Sequence, residues 1–254
     1  MSVASTKAFY SQIIAGALLG LKVASIRQRR SAEFLSDQIA ELLRIPEHMR
    51  SVLAMGASIQ ASARRLAATK TYWAAVGSGP NKASADEIRI KLSELCYKTI
   101  SSDFVEDKKH IDLSSEPLII VCAAGSKGTV IGDIIKDTAI FKAHKAIPVV
   151  IADENEHRFD PYASDVFHVP PVGEHLAPIV NTLVGHIWGY YAALAINEGS
   201  KFFYGFQEEL QQIVDTEAKK GLDVYELVLE KSFREKIGAF YRTFRERKNS
   251  HGFP

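Results

Sequence analysis

Three groups of residues in this chain have types and spacings suited to chemistry. The first is Glu87, Lys91 and Glu94. At 3.6 residues per helical turn these three share one stripe, while Ile88, Leu92 and Leu95 share another. Two readings of the charged stripe stand. As a solvated face it is a row of salt-bridged neighbours, worth roughly a few tenths of a kcal/mol per pair. As a site it is a carboxylate beside a lysine at the mouth of a sheet, able to move a proton. The second group is Gly125-Ser126-Lys127-Gly128-Thr129. Free N–H groups at a helix start, two hydroxyls and a lysine suit a phosphate, and glycine lets the backbone approach it closely. The GxxxxGK[ST] spacing of a Walker loop is missing, and a capped helix start without ligand fits the same residues. The third group is the histidines. His110 follows Glu106-Asp107-Lys108-Lys109, and His157 lies in the acidic segment Asp153-Glu154-Asn155-Glu156. Neither has HExxH or Cys/His spacing, so no metal site and no cofactor are expected. There is no nucleophile elbow for a Ser-His-Asp arrangement. Cys96 and Cys122 sit in apolar surroundings and read as core.

These groups need elements to hold them. Residues 1–68 read as helical, with Ser5 as a cap of the first helix and Ser31 starting a second that ends near Ile45. Pro46 suits the first turn of a third, running to about Thr69. Residues 69–200 change texture. Strand-like runs at Tyr72–Val76, Leu118–Ala124, Ile147–Ala152 and Asp165–Val169 alternate with helical patterns at 83–98, 128–145 and 174–197. Short apolar strands alternating with helices predict an α/β, three-layer α-β-α fold with a parallel sheet, which binds ligands beyond the carboxyl ends of its strands. Gly77-Ser78-Gly79 closes the first run but lacks the third glycine of a dinucleotide fingerprint, and Pro80 breaks the pattern. Residues 201–254 read as a charged helical extension, with Phe233, Ile237, Phe240 and Phe244 on one face.

Composition narrows the function classes. The 254 residues carry 31 basic and 30 acidic side chains, so no net field is available for nucleic acid, and none is expected as a partner. The basic cluster Arg245, Arg247 and Lys248 reads as cations at a helix C-terminus. With 46% hydrophobic and 24% charged residues the chain is globular rather than disordered. Two cysteines point to a reducing, cytoplasmic compartment. No apolar run reaches the roughly 18 residues of a membrane span, so no membrane contact is expected. The stretch from Lys7 to Ser25 has the order of a signal peptide. Ser11 and Gln12 interrupt its apolar run and Lys22 closes it, which favours an amphipathic or buried helix.

A family resemblance joins these groups. Val3-Ala4-Ser5-Thr6-Lys7-Ala8-Phe9 resembles the VASTKAF(T/S)Q segment that, in glucosamine-6-phosphate synthases (glutamine–fructose-6-phosphate aminotransferases), joins two sugar-isomerase (SIS) halves. Gly77-Ser78-Gly79 is similar to the GRG turn of the second half. Glu87, Lys91, Glu94 and Tyr97 fall on its E-x-x-x-K-x-x-E-x-x-Y helix, and His110 falls on the histidine of its G-E-L-K-H-G-P loop. Val169-Pro170-Pro171 through Ala177-Pro178-Ile179 resembles the segment leading into the last helix. The resemblance implies an SIS fold and a sugar-phosphate ligand. It gives Glu94 the proton shuttle between C1 and C2, and His110 the assistance of ring opening from a neighbouring subunit. Val3 and Ser5 would line the sugar site, with Lys91 and Glu87 in support. The S-x-S-G-E-T phosphate loop of the family's first half and the lysine of its L-A-K-S-V-T tail have no match among these residues; at the tail the chain reads Leu210-Gln211-Gln212-Ile213-Val214. Ser126 and Thr129 repeat the S-x-x-T spacing of the missing loop. The expectation is therefore a phosphosugar-binding SIS protein acting as an aldose–ketose isomerase, or a deglycase-like relative, on a hexose or amino-sugar 6-phosphate. Its site would be shared between subunits of a homo-oligomer, a dimer in the first instance, or with a separate chain carrying a first SIS half. A non-catalytic phosphosugar-binding or assembly module is the alternative.

Overall fold

The computed structural model of the protein describes residues 6–110 and 117–250. Its centre is a five-stranded parallel sheet built from β1 (Trp73–Gly77), β2 (Ile100–Asp103), β3 (Leu118–Cys122), β4 (Ile147–Asp153) and β5 (Asp165–Val169), in the order β2-β1-β3-β4-β5. Every residue of β1 and β3 is buried, as continuous apolar runs in a sheet covered on both faces must be. On one face Val76, Val121 and Val150 pack with Ile134 and Phe141 of α6 (Gly128–Ala143). On the other, Trp73 meets Trp188 of α7 (Ala177–Lys219) edge to face at 5.3 Å. There, Ile88 of α4 (Asn81–Cys96) lies so close to Gly185 that a Cβ at 185 would stand 2.3 Å from it. The three-layer expectation therefore holds.

Register levels the carboxyl ends, pairing Gly77 with Cys122 and Cys122 with Ile151. From β1 the chain turns one way, through α4 to β2; from β3 it turns the other, through α6 to β4. The carboxyl ends of β1 and β3 thus form the topological switch point, where such sheets open a crevice.

The flanking helices depart from the sequence expectation. Ser31 does cap α2 (Ala32–Ala54), its Oγ accepting from the Phe34 N–H at 3.1 Å. Pro46, however, lies inside α2 rather than at a helix start, and the break falls before α3 (Gly56–Leu66). Ile45 and Val52, seven residues apart on one face, are both buried, and that packing carries the helix across the missing N–H. Strand β2 has no counterpart in the sequence pattern, because Ser101, Ser102 and Asp103 give it no apolar run; as an edge strand it needs little. Ser5 lies outside the described residues, and α1 (Lys7–Ile26) starts after Thr6 without a side-chain cap. None of α1 is buried, contrary to the buried alternative. Both α1 and α7 are long and apolar enough to cross a membrane by length and composition, which corrects the expectation that no stretch is; in α7 the qualifying window is 67% buried inside the protein.

The chain forms two compact units. One holds Met1–Ser62 and Lys70–Tyr190; the other holds Ala63–Thr69 and Tyr191–Pro254. In the second, the expected apolar face of α9 (Lys231–Asn249) is real: Phe240 stacks on Phe206 at 3.8 Å and Phe244 meets Phe203 at 5.9 Å. The Arg247 guanidinium covers the Phe202 ring at 4.6 Å.

Candidate active site

Helix α4 leaves the carboxyl end of β1 and runs back along the sheet, presenting Glu87, Lys91 and Glu94 on one stripe. Lys91 is 3% exposed. Its Nζ donates to Glu94 Oε2 at 3.1 Å and lies 3.6 Å from Glu87 Oε1. A buried ammonium needs matched charge, and two carboxylates supply it. They are not equivalent. Glu87 is nearly enclosed, and burial raises its carboxyl above the ordinary range, with Lys91 opposing. The Glu94 side chain keeps 37% of its surface and faces solvent.

Two residues that no local motif singles out stand behind Glu87. His186 of α7 places Nε2 3.3 Å from Glu87 Oε1, and Tyr10 of α1 lies 2.8 Å from His186 Nδ1. Burial, with the Lys91 charge nearby, lowers the His186 pKa to about 4, so the ring is neutral. The tautomer that serves both neighbours carries its proton on Nε2 toward Glu87 and accepts the Tyr10 hydroxyl at Nδ1. Burial and then Glu87 raise the Tyr10 pKa, which keeps it a donor. Among the described residues Glu87 Oε1 and His186 Nε2 have no aligned hydrogen bond, despite their proximity. Tyr10, His186, Glu87, Lys91 and Glu94 thus form a row from α1 through the buried His186 and Lys91 to the solvent-facing Glu94. Residues 176 positions apart meet in it, and no local spacing announces such a contact.

The second group lies elsewhere. Ser126 sits at the switch point beside the start of α4, where the Asn81 side chain donates to Ser126 Oγ at 3.3 Å and to the Ala124 carbonyl at 2.9 Å. Asn181 joins this buried cluster, donating to Asn81 Oδ1 at 2.9 Å. Lys127 occupies the N-cap of α6 without a side-chain cap, and Gly128 adopts φ +61°. Gly125 adopts φ +76°, and its N–H donates to Asp153 Oδ1 at 2.9 Å. Burial raises the Asp153 carboxyl, with that N–H and Lys127 opposing. Lys127 and Asp153 line a cleft of about 220 Å³ with Glu41, Arg44, His48 and Gly173. Thr129 is exposed in the first turn of α6. Glu94 is thirteen residues along α4 from Asn81, about 20 Å at 1.5 Å per residue. The structure therefore brings Glu87, Lys91 and Glu94 together on one stripe of α4, along which Glu87 lies about 9 Å, and Glu94 about 20 Å, from the end beside Ser126.

His110 follows a fixed point. Lys109 pairs with the buried Asp137 at 2.9 Å, which ties α5 (Val105–Lys108) to α6. The His110 side chain is exposed and has no polar partner among the described residues. Val3 and Ser5 lie outside the described residues. Cys96 and Cys122 are both buried; burial pushes the Cys96 thiol up to about 11 and the Cys122 thiol further, which keeps both protonated.

The five-stranded parallel sheet with helices on both faces matches the SIS α/β fold. It resembles the second isomerase half of the glutamine–fructose-6-phosphate aminotransferases. No protein-family model matches the chain. It is 29% identical over 199 residues to the glutamine–fructose-6-phosphate aminotransferase of Methanosarcina acetivorans, covering 78% of this chain and 32% of that protein. The enzyme of Mycolicibacterium paratuberculosis is 30% identical over 188 residues, covering 72% and 30%. The chain spans about a third of the length of these curated relatives. Among solved structures, the C-terminal domain of the Francisella tularensis glucosamine-fructose-6-phosphate aminotransferase shares the fold, with a TM-score of 0.68 at 20% identity over 76% of this chain and 54% of that one.

Proposed function

We propose that this chain is a phosphosugar-binding SIS domain supplying the proton-transfer half of an aldose–ketose isomerase site for a hexose or amino-sugar 6-phosphate. The observation that carries this reading is Lys91, buried between Glu87 and the solvent-facing Glu94. Isomerisation through an enediol needs a base near the carbon and a proton donor near the oxygen. In this reading the Glu94 carboxylate carries the proton between C1 and C2. Lys91 holds the Glu94 side chain in place and offsets the negative charge that develops on the sugar oxygen. His110 assists ring opening in a neighbouring subunit, which its exposure supports. Val3 and Ser5 line the sugar site. The stretch in the place of the family's tail reads Leu210-Gln211-Gln212-Ile213-Val214, which favours isomerisation or deglycase-like chemistry over an imine to the protein.

The rise of about 20 Å along α4 from Asn81, beside Ser126, to Glu94 supports a reading in which the phosphate of a sugar held at Glu94 is gripped by another chain. That chain is a second copy of this one or a separate chain with a first SIS half. The unburied α1, with Leu18, Leu19, Val23 and Ile26 exposed, supports association. The regions 1–68, 69–200 and 201–254 then act as linker helices, SIS domain and extension, in a cytoplasmic protein.

The cleft with Arg44, His48 and Lys127 favours the second reading, a non-catalytic phosphosugar-binding module. One pair of variants separates the two. If the chain is an isomerase, Glu94→Gln abolishes interconversion of glucose 6-phosphate and fructose 6-phosphate, or of their amino analogues, while ligand-induced thermal stabilisation persists. If it is a binding module, wild type shows no turnover and the doubly substituted Ser126→Ala/Thr129→Ala protein loses the stabilisation. Absence of any shift with any phosphosugar counts against both.

A further inference from the structure

On the outer edge of the sheet, away from the α4 stripe, the connection from β4 to β5 gathers two imidazoles and a carboxylate. The Asp160 N–H donates to the His157 carbonyl at 3.1 Å, and this turn sets both side chains on one side. His157 Nδ1 is then 3.5 Å from Asp160 Oδ2. Strand β5 contributes His168, whose Nε2 is 3.8 Å from Asp160 Oδ1. One donor atom from each of the three residues lies within 4.8 Å of the others.

The scaffold under this cluster is fixed. Phe159, between the two turn residues, is fully buried. Its carbonyl accepts from the Tyr162 and Ala163 N–H groups at 2.9 and 3.0 Å, and the Ser164 N–H donates to the Pro148 carbonyl at 2.8 Å. His168 is oriented from behind. Its Nδ1 lies 3.3 Å from the Asp153 carbonyl, which can only accept, so Nδ1 carries the proton and the Nε2 lone pair points to Asp160. Metal-binding imidazoles are typically held by such a bond to a carbonyl, which fixes tautomer and direction. The neighbouring Arg158 is neutralised by Glu156, whose Oε1 accepts from Arg158 Nε at 2.8 Å.

We propose that His157, Asp160 and His168 form a binding site for a divalent transition cation of the zinc type, with water completing its coordination. Zinc bonds of about 2.0–2.2 Å to nitrogen and oxygen require donor atoms a little over 3 Å apart. The observed separations reach that by small side-chain rotations. Two imidazoles exclude magnesium and calcium, which require oxygen ligands. The cation would pin the β4–β5 connection to β5, next to Asp153, whose carboxylate lines the cleft at the carboxyl edge. No motif spacing reveals the site, because two donors come from a turn and the third from a strand.

The test is titration of the full chain, free of any histidine tag, with Co²⁺ and with Zn²⁺. The expected result is one cobalt per chain with visible d–d absorption, displaced by Zn²⁺, and a thermal midpoint that rises with Zn²⁺ but not with Mg²⁺. Asp160→Asn and His168→Gln each weaken binding at least about tenfold, while His144→Ala leaves it unchanged. Circular dichroism establishes that the variants fold. Absence of saturable binding at millimolar metal, or binding indifferent to both ligand substitutions, overturns the proposal.

Discussion

Lys91 has its ammonium out of water and two carboxylates within 3.6 Å, so each neighbour's worth depends on its own exposure. Replacing Lys91 by methionine leaves Glu87 enclosed and uncompensated, and is expected to cost about 3 kcal/mol in urea unfolding. Glu94→Gln removes a partner that water already screens, and is expected to cost less than about 1 kcal/mol. That asymmetry makes Glu94 the residue whose substitution reads on chemistry rather than folding. His186 provides a pH test. An unfolded histidine gains its proton near 6.5, the folded one only near about 4. Between those values the unfolded state binds more protons, so the contribution of His186 to stability is present above 6.5 and is lost as pH falls through the window. Glu87, shifted upward, works in the opposite sense. The difference between wild type and His186→Asn therefore isolates the slope, and NMR of the imidazole is expected to show it neutral down to about pH 4.

At the scale of elements, the contact between α4 and α7 decides whether the row from Tyr10 to Glu94 stays aligned. Gly185 permits the close approach of Ile88. Gly185→Ala is expected to cost about 1–3 kcal/mol by overpacking. Gly16→Ala, in an exposed turn of α1 with nothing within 4 Å, is expected to stabilise slightly. Equal effects in denaturant titrations would contradict this view of the packing. The apolar strands and α4 were legible in the sequence because their burial is written as hydrophobic runs and a charged stripe. Strand β2, a polar edge, carries no such signal. Pro46 misleads because tertiary packing at Ile45 and Val52 overrides the local break. Of the candidate site, Glu87, Lys91 and Glu94 were readable from spacing within one helix. Tyr10 and His186 were not, since only the fold brings them there.

For the whole molecule, the dimension that matters is the rise of about 20 Å along α4 from Asn81, beside Ser126, to Glu94. In the proposed reading a sugar held at Glu94 has its phosphate gripped by a loop from another chain. With 31 basic against 30 acidic residues, any such association rests on apolar contact rather than net charge. Lys substitutions at Leu19 and Ile26, both exposed on α1, are expected to shift the protein to smaller species in sedimentation, and a monomeric wild type would contradict association between copies. The most direct test of the central claim is proton exchange at the sugar. The chain is incubated in deuterated water with glucose 6-phosphate or fructose 6-phosphate, alone and with a separately produced first SIS half bearing S-x-S-G-E-T. Deuterium at C2 of the aldose or C1 of the ketose is followed by NMR. The account predicts exchange that falls at least about a hundredfold in Glu94→Gln. No exchange under either condition, or exchange that survives Glu94→Gln unchanged, would contradict it.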